Sequence, residues 1–89
     1  MIRKTFVMNC KEGFHLRPAQ VLTEKSVQFD SDITVKKSES EEADAKSILG
    51  LMSLGIEAGE SVEVQVSGPD ENEAMDMVEQ LFKSNFNES

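Results

Sequence analysis

The chain's only histidine lies in Gly13-Phe14-His15-Leu16-Arg17-Pro18-Ala19, between a glycine that permits a sharp turn and the expected start of a helix. An imidazole there could do phosphoryl chemistry. The free N–H groups and positive dipole end of a helix start bind an anion. The same positive end disfavours imidazolium, so the ring stays neutral and nucleophilic near neutral pH. Arg17, two residues on, offers planar donors to phosphoryl oxygens. Histidine is also a covalent nucleophile in its own right. By spacing alone, the segment reads more readily as a surface or capping histidine.

Other chemistries lack their residues. There is no P-loop and no dinucleotide fingerprint. One histidine and one cysteine, Cys10, cannot build a His/Cys metal cluster in one chain, so neither metal nor cofactor is expected. Glu41-Glu42 lies in a polar stretch and reads as a solvated face, because paired-carboxylate catalysis needs an apolar wall. Cys10 cannot form an internal disulfide; it suits a reducing cytosol and reads as a half-buried residue at a strand end. Nine Lys and Arg against 17 Asp and Glu leave a formal net charge of -8. That balance argues against nucleic-acid phosphates or anionic lipid as partners. The longest apolar stretch, Ile48 to Leu54, is interrupted by Gly50 and Ser53 and is far short of the roughly 20 residues that span a bilayer. No targeting signal is evident, and a soluble cytoplasmic protein is expected.

The elements that must position His15 follow from periodicity. Eighty-nine residues suit one domain, spanning 1–89, since domains below about 50 residues rarely bury enough apolar surface to stand alone. Residues 2–8 predict a strand with Ile2, Phe6 and Met8 on one face and Lys4 as the exception. A helix follows from Leu16, with Pro18 in its first turn and Ala19, Leu22, Ser26 and Phe29 as its apolar stripe. Asp30-Ser31-Asp32 is turn chemistry, and Ile33-Thr34-Val35 a short strand. Residues 36–44 predict a loop or a weak edge strand. Ser47 caps a short helix, with Ile48 and Leu51 assigned to the core and Gly55 as its stop. Ser61 to Ser67 is the clearest strand, three valines alternating with polar residues. Asp70 with Glu73 predicts a capping box for the last helix, where Ala74, Val78 and Leu81 line one face beside Met75 and Phe82. These elements predict an α+β domain whose antiparallel sheet is backed on one face by helices.

The histidine segment resembles the active-site motif of HPr, the histidine-containing phosphocarrier family of the bacterial sugar phosphotransferase system. A second segment, Lys46-Ser47-Ile48-Leu49-Gly50-Leu51-Met52-Ser53-Leu54-Gly55-Ile56, resembles the regulatory serine region of its Gram-positive members. The likeness continues through Ser67-Gly68-Pro69-Asp70-Glu71-Asn72 and covers nearly the whole chain. It implies a βαββαβα open-faced sandwich, a four-stranded antiparallel sheet covered on one face by three helices. It also implies that His15 accepts a phosphoryl group from enzyme I on Nδ1 and passes it to enzyme II A components of sugar permeases. Arg17 would stabilise that group, and the main-chain N–H groups of Leu16 and Arg17 would cradle it. Ser47 would be the target of HPr kinase/phosphorylase, and the serine-phosphorylated form would bind a catabolite-control repressor. Phe14, Leu16, Gln20, Leu49 and Met52 are the candidate docking residues. No direct nucleic-acid contact, no membrane insertion and a monomer are expected. The protein would be a carrier, modified and restored, with no turnover of its own.

Three residues beside His15 depart from the family pattern. Leu16 stands where alanine is usual, Gln20 where a small or hydroxyl residue is usual, and Phe14 replaces a smaller aliphatic one. Residues 38–45 are unusually polar and one residue longer than in common HPr sequences. A general sugar phosphocarrier and a specialised or mainly regulatory paralogue both remain open on this reading. Retention of His15 favours the carrier.

Overall fold

The computed structural model describes residues 1–9 and 16–86. Its elements are β1 (Ile2–Val7), α1 (Leu16–Ser26), β2 (Asp32–Ser38), β3 (Glu41–Asp44), α2 (Ile48–Ser53), β4 (Ser61–Ser67) and α3 (Glu71–Lys83). The four strands form one sheet in the order β1-β4-β2-β3, with every pairing antiparallel. Period-2 alternation decides which face is covered. Val62, Val64 and Val66 of β4 and Ile33 and Val35 of β2 are all buried, and the register sets Ile33 beside Val66 and Val35 beside Val64. Ile2 and Phe6 of β1 join the same face. The other face carries Thr5, Glu63, Lys36 and Glu42 in one cross-strand row. The architecture is an open-faced α+β sandwich of a four-stranded sheet and three helices, as expected.

Lys4 shares the covered face with Ile2 and Phe6. Its ammonium reaches Glu79 Oε1 on α3 at 3.0 Å, so a cation is tolerated there because its head is paired at the rim. The helices bury the stripes their spacing predicts. Ala19, Leu22 and Ser26 of α1 are buried, with Phe29 half-buried against the core. Ala74, Met75, Val78, Leu81 and Phe82 of α3 are buried.

Four expectations are refined. The strand expected over 33–35 runs from Asp32 to Ser38, and the polar stretch beyond it pairs as the edge strand β3. Propensity undervalues both segments; pairing with β4 orders β2, β2 in turn orders β3, and acidic β3 side chains guard an edge that apolar ones would expose. Ile48 is half-buried and packs against the core, which it does not join fully. The capping box is absent: the Asp70 side chain makes no cap hydrogen bond to its own helix. Its carboxylate instead accepts from the N–H of Asp30 at 3.0 Å, the N–H of Ser31 at 2.9 Å and the Ser31 hydroxyl. Three donors converging in one turn outcompete a single cap bond. Glu71 closes the helix start, its Oε1 accepting from Gly68 N–H at 3.1 Å. Gly68 is required there, since a Cβ would stand 2.6 Å from Ser31 Cα.

After α3 the chain turns back through Asn85 and Phe86, both at positive φ, and Phe86 N–H donates to the Leu81 carbonyl at 2.7 Å. Phe86 is buried, its ring set edge-on to Phe82 at 4.9 Å, while Phe82 stacks on Phe6 at 4.6 Å. No periodic signal announces this aromatic closure.

The Ser31 hydroxyl, then the Asp30 N–H, hold the Asp70 carboxyl below the usual aspartate value. Glu71 is lowered by the Gly68 N–H and by the amino terminus, and Glu79 by the Lys4 ammonium. A carboxylate whose folded pKa is depressed stabilises the fold above its unfolded pKa, and that contribution is lost as pH falls through the folded value. The urea midpoint is therefore expected to fall from about pH 5 downward. Asp70→Asn lowers the midpoint near neutrality and makes the acid-side fall shallower; an unchanged pH profile in that variant contradicts the assignment.

Candidate functional site

Burial of Pro18 and Ala19 anchors the first turn of α1 to the core. That leaves Leu16, Arg17 and Gln20 exposed, with Leu16 at 59% of its full accessibility. The first turn of α1 holds no acidic side chain, so no carboxylate of its own neutralises that end. Among the described residues, Arg17 enters no ion pair. His15 precedes the first residue of α1 in the chain; it, Phe14, Gly13 and Cys10 lie outside the described residues. Among the described residues no cluster of His, Cys, Asp and Glu could hold a metal ion. No described helix is long and apolar enough to cross a membrane.

Ser47 is the N-cap of α2, as its residue type predicts. Its backbone is extended, at φ -122 and ψ 111, and its Oγ accepts from Gly50 N–H at 3.1 Å. The preceding turn is closed by Ser47 N–H donating to the Asp44 carbonyl and Lys46 N–H donating to Asp44 Oδ1, both at 2.9 Å. Gly55 ends the helix at φ +64, donating to the Met52 carbonyl at 3.2 Å. So short a helix can bury only one side: Leu51 is buried, while Leu49 is 78% and Met52 39% exposed.

Helices α1 and α2 are in contact. The structure thus places Leu16, Arg17 and Gln20 on one helix and Ser47, Leu49 and Met52 on its neighbour. Of the six large apolar side chains that are exposed among the described residues, Leu16, Val27, Leu49 and Met52 belong to α1, its C-terminal continuation or α2, while Met1 and Val7 lie at the two ends of β1. Val27 escaped sequence reasoning, although a signal existed. It stands eleven residues after Leu16, three helical turns, and its N–H still donates to the Thr23 carbonyl at 3.0 Å.

A family model described as "PTS HPr component phosphorylation site" matches residues 2–84. The phosphocarrier protein NPr of Escherichia coli (strain K12) is 37% identical over 87 residues, covering 98% of this chain and 97% of that protein. The phosphocarrier protein HPr of Treponema pallidum (strain Nichols) is 35% identical over 88 residues, covering 99% of each. The crystal structure of HPr-C-His from Thermoanaerobacter tengcongensis superposes with a TM-score of 0.93 at 36% identity, covering 100% of this chain and 99% of that one.

The cap geometry carries its own consequence. Ser47→Ala removes the acceptor for the Gly50 N–H and is expected to lower stability by about 1 kcal/mol in urea titration. Ser47→Asp, which keeps an acceptor oxygen at the cap, stays near the parent. Equal loss in both variants rules out the cap as the cause.

Proposed function

This chain belongs to the HPr family of phosphocarriers of the phosphotransferase system, and on that premise we propose that it takes a phosphoryl group from phospho-enzyme I onto His15 and passes it to enzyme II A components of sugar permeases. The observation that carries the assignment to His15 is its place in the chain, one residue before a helix start whose Leu16 and Arg17 are exposed and whose Arg17 has no carboxylate partner among the described residues. The Nδ1 lone pair attacks phosphorus in line, the N–P bond forms as the bond to the donor breaks, and the reverse exchange hands the group to the acceptor. A loose transition state asks for positioning and fixed positive dipoles more than for acid or base groups. The N–H groups of Leu16 and Arg17, with the Arg17 guanidinium, supply them. Phe14, Leu16, Gln20, Leu49 and Met52 form the surface that docks partners, and Val27 extends it.

Ser47 is the site of regulatory phosphorylation by HPr kinase/phosphorylase, and the modified form binds a catabolite-control repressor. Its position as N-cap supports this reading, because a phosphate at a helix start does not break the helix. The added charge opposes docking of an acidic partner surface. The carrier acts as a monomer in the cytoplasm. The relatives' names divide between NPr and HPr, which supports a second reading, a specialised or mainly regulatory paralogue acting through a catabolite-control repressor or other partners.

The test mixes the chain with enzyme I and phosphoenolpyruvate and follows intact mass. The parent gains one acid-labile phosphate, His15→Ala gains none while unfolding at the parent's temperature, and Ser47→Asp gains it more slowly. Normal uptake by His15→Ala ends the carrier reading. No uptake by the parent beside a competent control HPr turns attention to the specialised paralogue.

A further inference from the structure

Two hydrogen bonds tie the turn before α2 to α1. Thr23 Oγ1 donates to the Ala45 carbonyl at 2.9 Å, and Lys46 Nζ donates to the Phe29 carbonyl at 2.9 Å. The second has an unusual balance. Its donor is an ammonium, and among the described residues that ammonium is in no ion pair, so the partner it holds is a neutral carbonyl. The acceptor belongs to the last turn of α1's continuation, where Val27, Gln28 and Phe29 donate to the carbonyls of Thr23, Lys25 and Ser26. A cation at that end satisfies a terminal carbonyl and complements the negative end of the helix. The residue that carries it is the immediate neighbour of Ser47.

We propose that Lys46 is a positioning residue that couples Ser47 to α1: a phosphate on Ser47 draws the Lys46 ammonium off the Phe29 carbonyl and releases the last turn of that helix. The inference rests on the reading of Ser47 as a modification site. A phosphate carries nearly two negative charges and three acceptor oxygens, and charge-assisted bonds to it outweigh one bond to an uncharged carbonyl. The flexible stem of lysine allows the exchange without moving the backbone of either helix. Thr23 keeps its bond to Ala45 in both states, so the helices stay joined while the far end of α1 loosens. The helix so loosened is the one that follows His15.

The experiment installs phosphoserine at position 47 during translation, without any kinase, and measures amide hydrogen exchange in the full chain. The amides of Val27, Gln28 and Phe29 are expected to exchange about tenfold faster with phosphoserine than without it, the lower end of the scale of one hydrogen bond to a charged group. In Lys46→Met these amides already exchange fast and phosphoserine adds nothing, whereas Lys46→Arg restores the response. Unchanged exchange in the phosphorylated parent overturns the coupling. So does an equal acceleration on top of Lys46→Met. Because the phosphate is placed without a kinase, failure of a kinase to modify Ser47 strikes the regulatory reading and leaves this measurement standing.

Discussion

Val62, Val64 and Val66 lie buried in β4, an interior strand paired with β1 on one side and with β2 on the other. A strand with a three-valine face cannot leave that face in water. At roughly 25 cal/mol per Å² of apolar area, the demand is for cover. The helices supply it, and their placement follows. Helix α3 meets β1 and β4, α2 meets β3, and α1 meets both other helices. Once Ala19 and Leu22 are committed to that cover, the start of α1 must face outward with Leu16 and Arg17. The candidate site is thus a by-product of where the core needs its helix.

Asp70 shows a second constraint at the sheet's end. Its carboxylate ties the turn entering β2 to the start of α3, where the Gly68 backbone lies against Ser31. That end of the sandwich is fixed by hydrogen bonds to a charge, the other by the Phe6 ring stacked on Phe82 and the Phe86 ring set edge-on to it. One closure weakens in acid and the other does not.

The α+β class, the order of elements and the buried stripes of β4 and α3 were legible because they rest on periodicity, which local sequence carries. The helix stop at Gly55 and the cap at Ser47 were legible because their residue types have one strong local use. Asp70 misled: an aspartate three residues before a glutamate is a capping box only if no better donors approach from elsewhere, and Asp30 and Ser31 approach from 40 and 39 residues away. Strand β3 was ambiguous for a similar reason, since its ordering comes from pairing and its own residues disfavour strands. Phe86 was unreadable because two residues at positive φ fold it back, and although asparagine tolerates that conformation, phenylalanine does not favour it. Of the site, Arg17, Leu16, Gln20, Leu49 and Met52 are exposed as their proposed roles demand, while the tie between Lys46 and Phe29 depends on a contact that spacing cannot reveal.

The strand order has a consequence for synthesis. Only β2 and β3 pair across a short connection; β1 pairs solely with β4, its residues some sixty positions apart, as in Ile2 with Val66. The strand that joins the two halves of the sheet leaves the ribosome next to last among the elements. Until Ser61–Ser67 emerges, β1 has no partner and the β2–β3 hairpin shows an unpaired edge. Closure of the sheet is therefore a late and single event, and a chain stopped before β4 leaves β1 without a strand partner and β2 open along one edge.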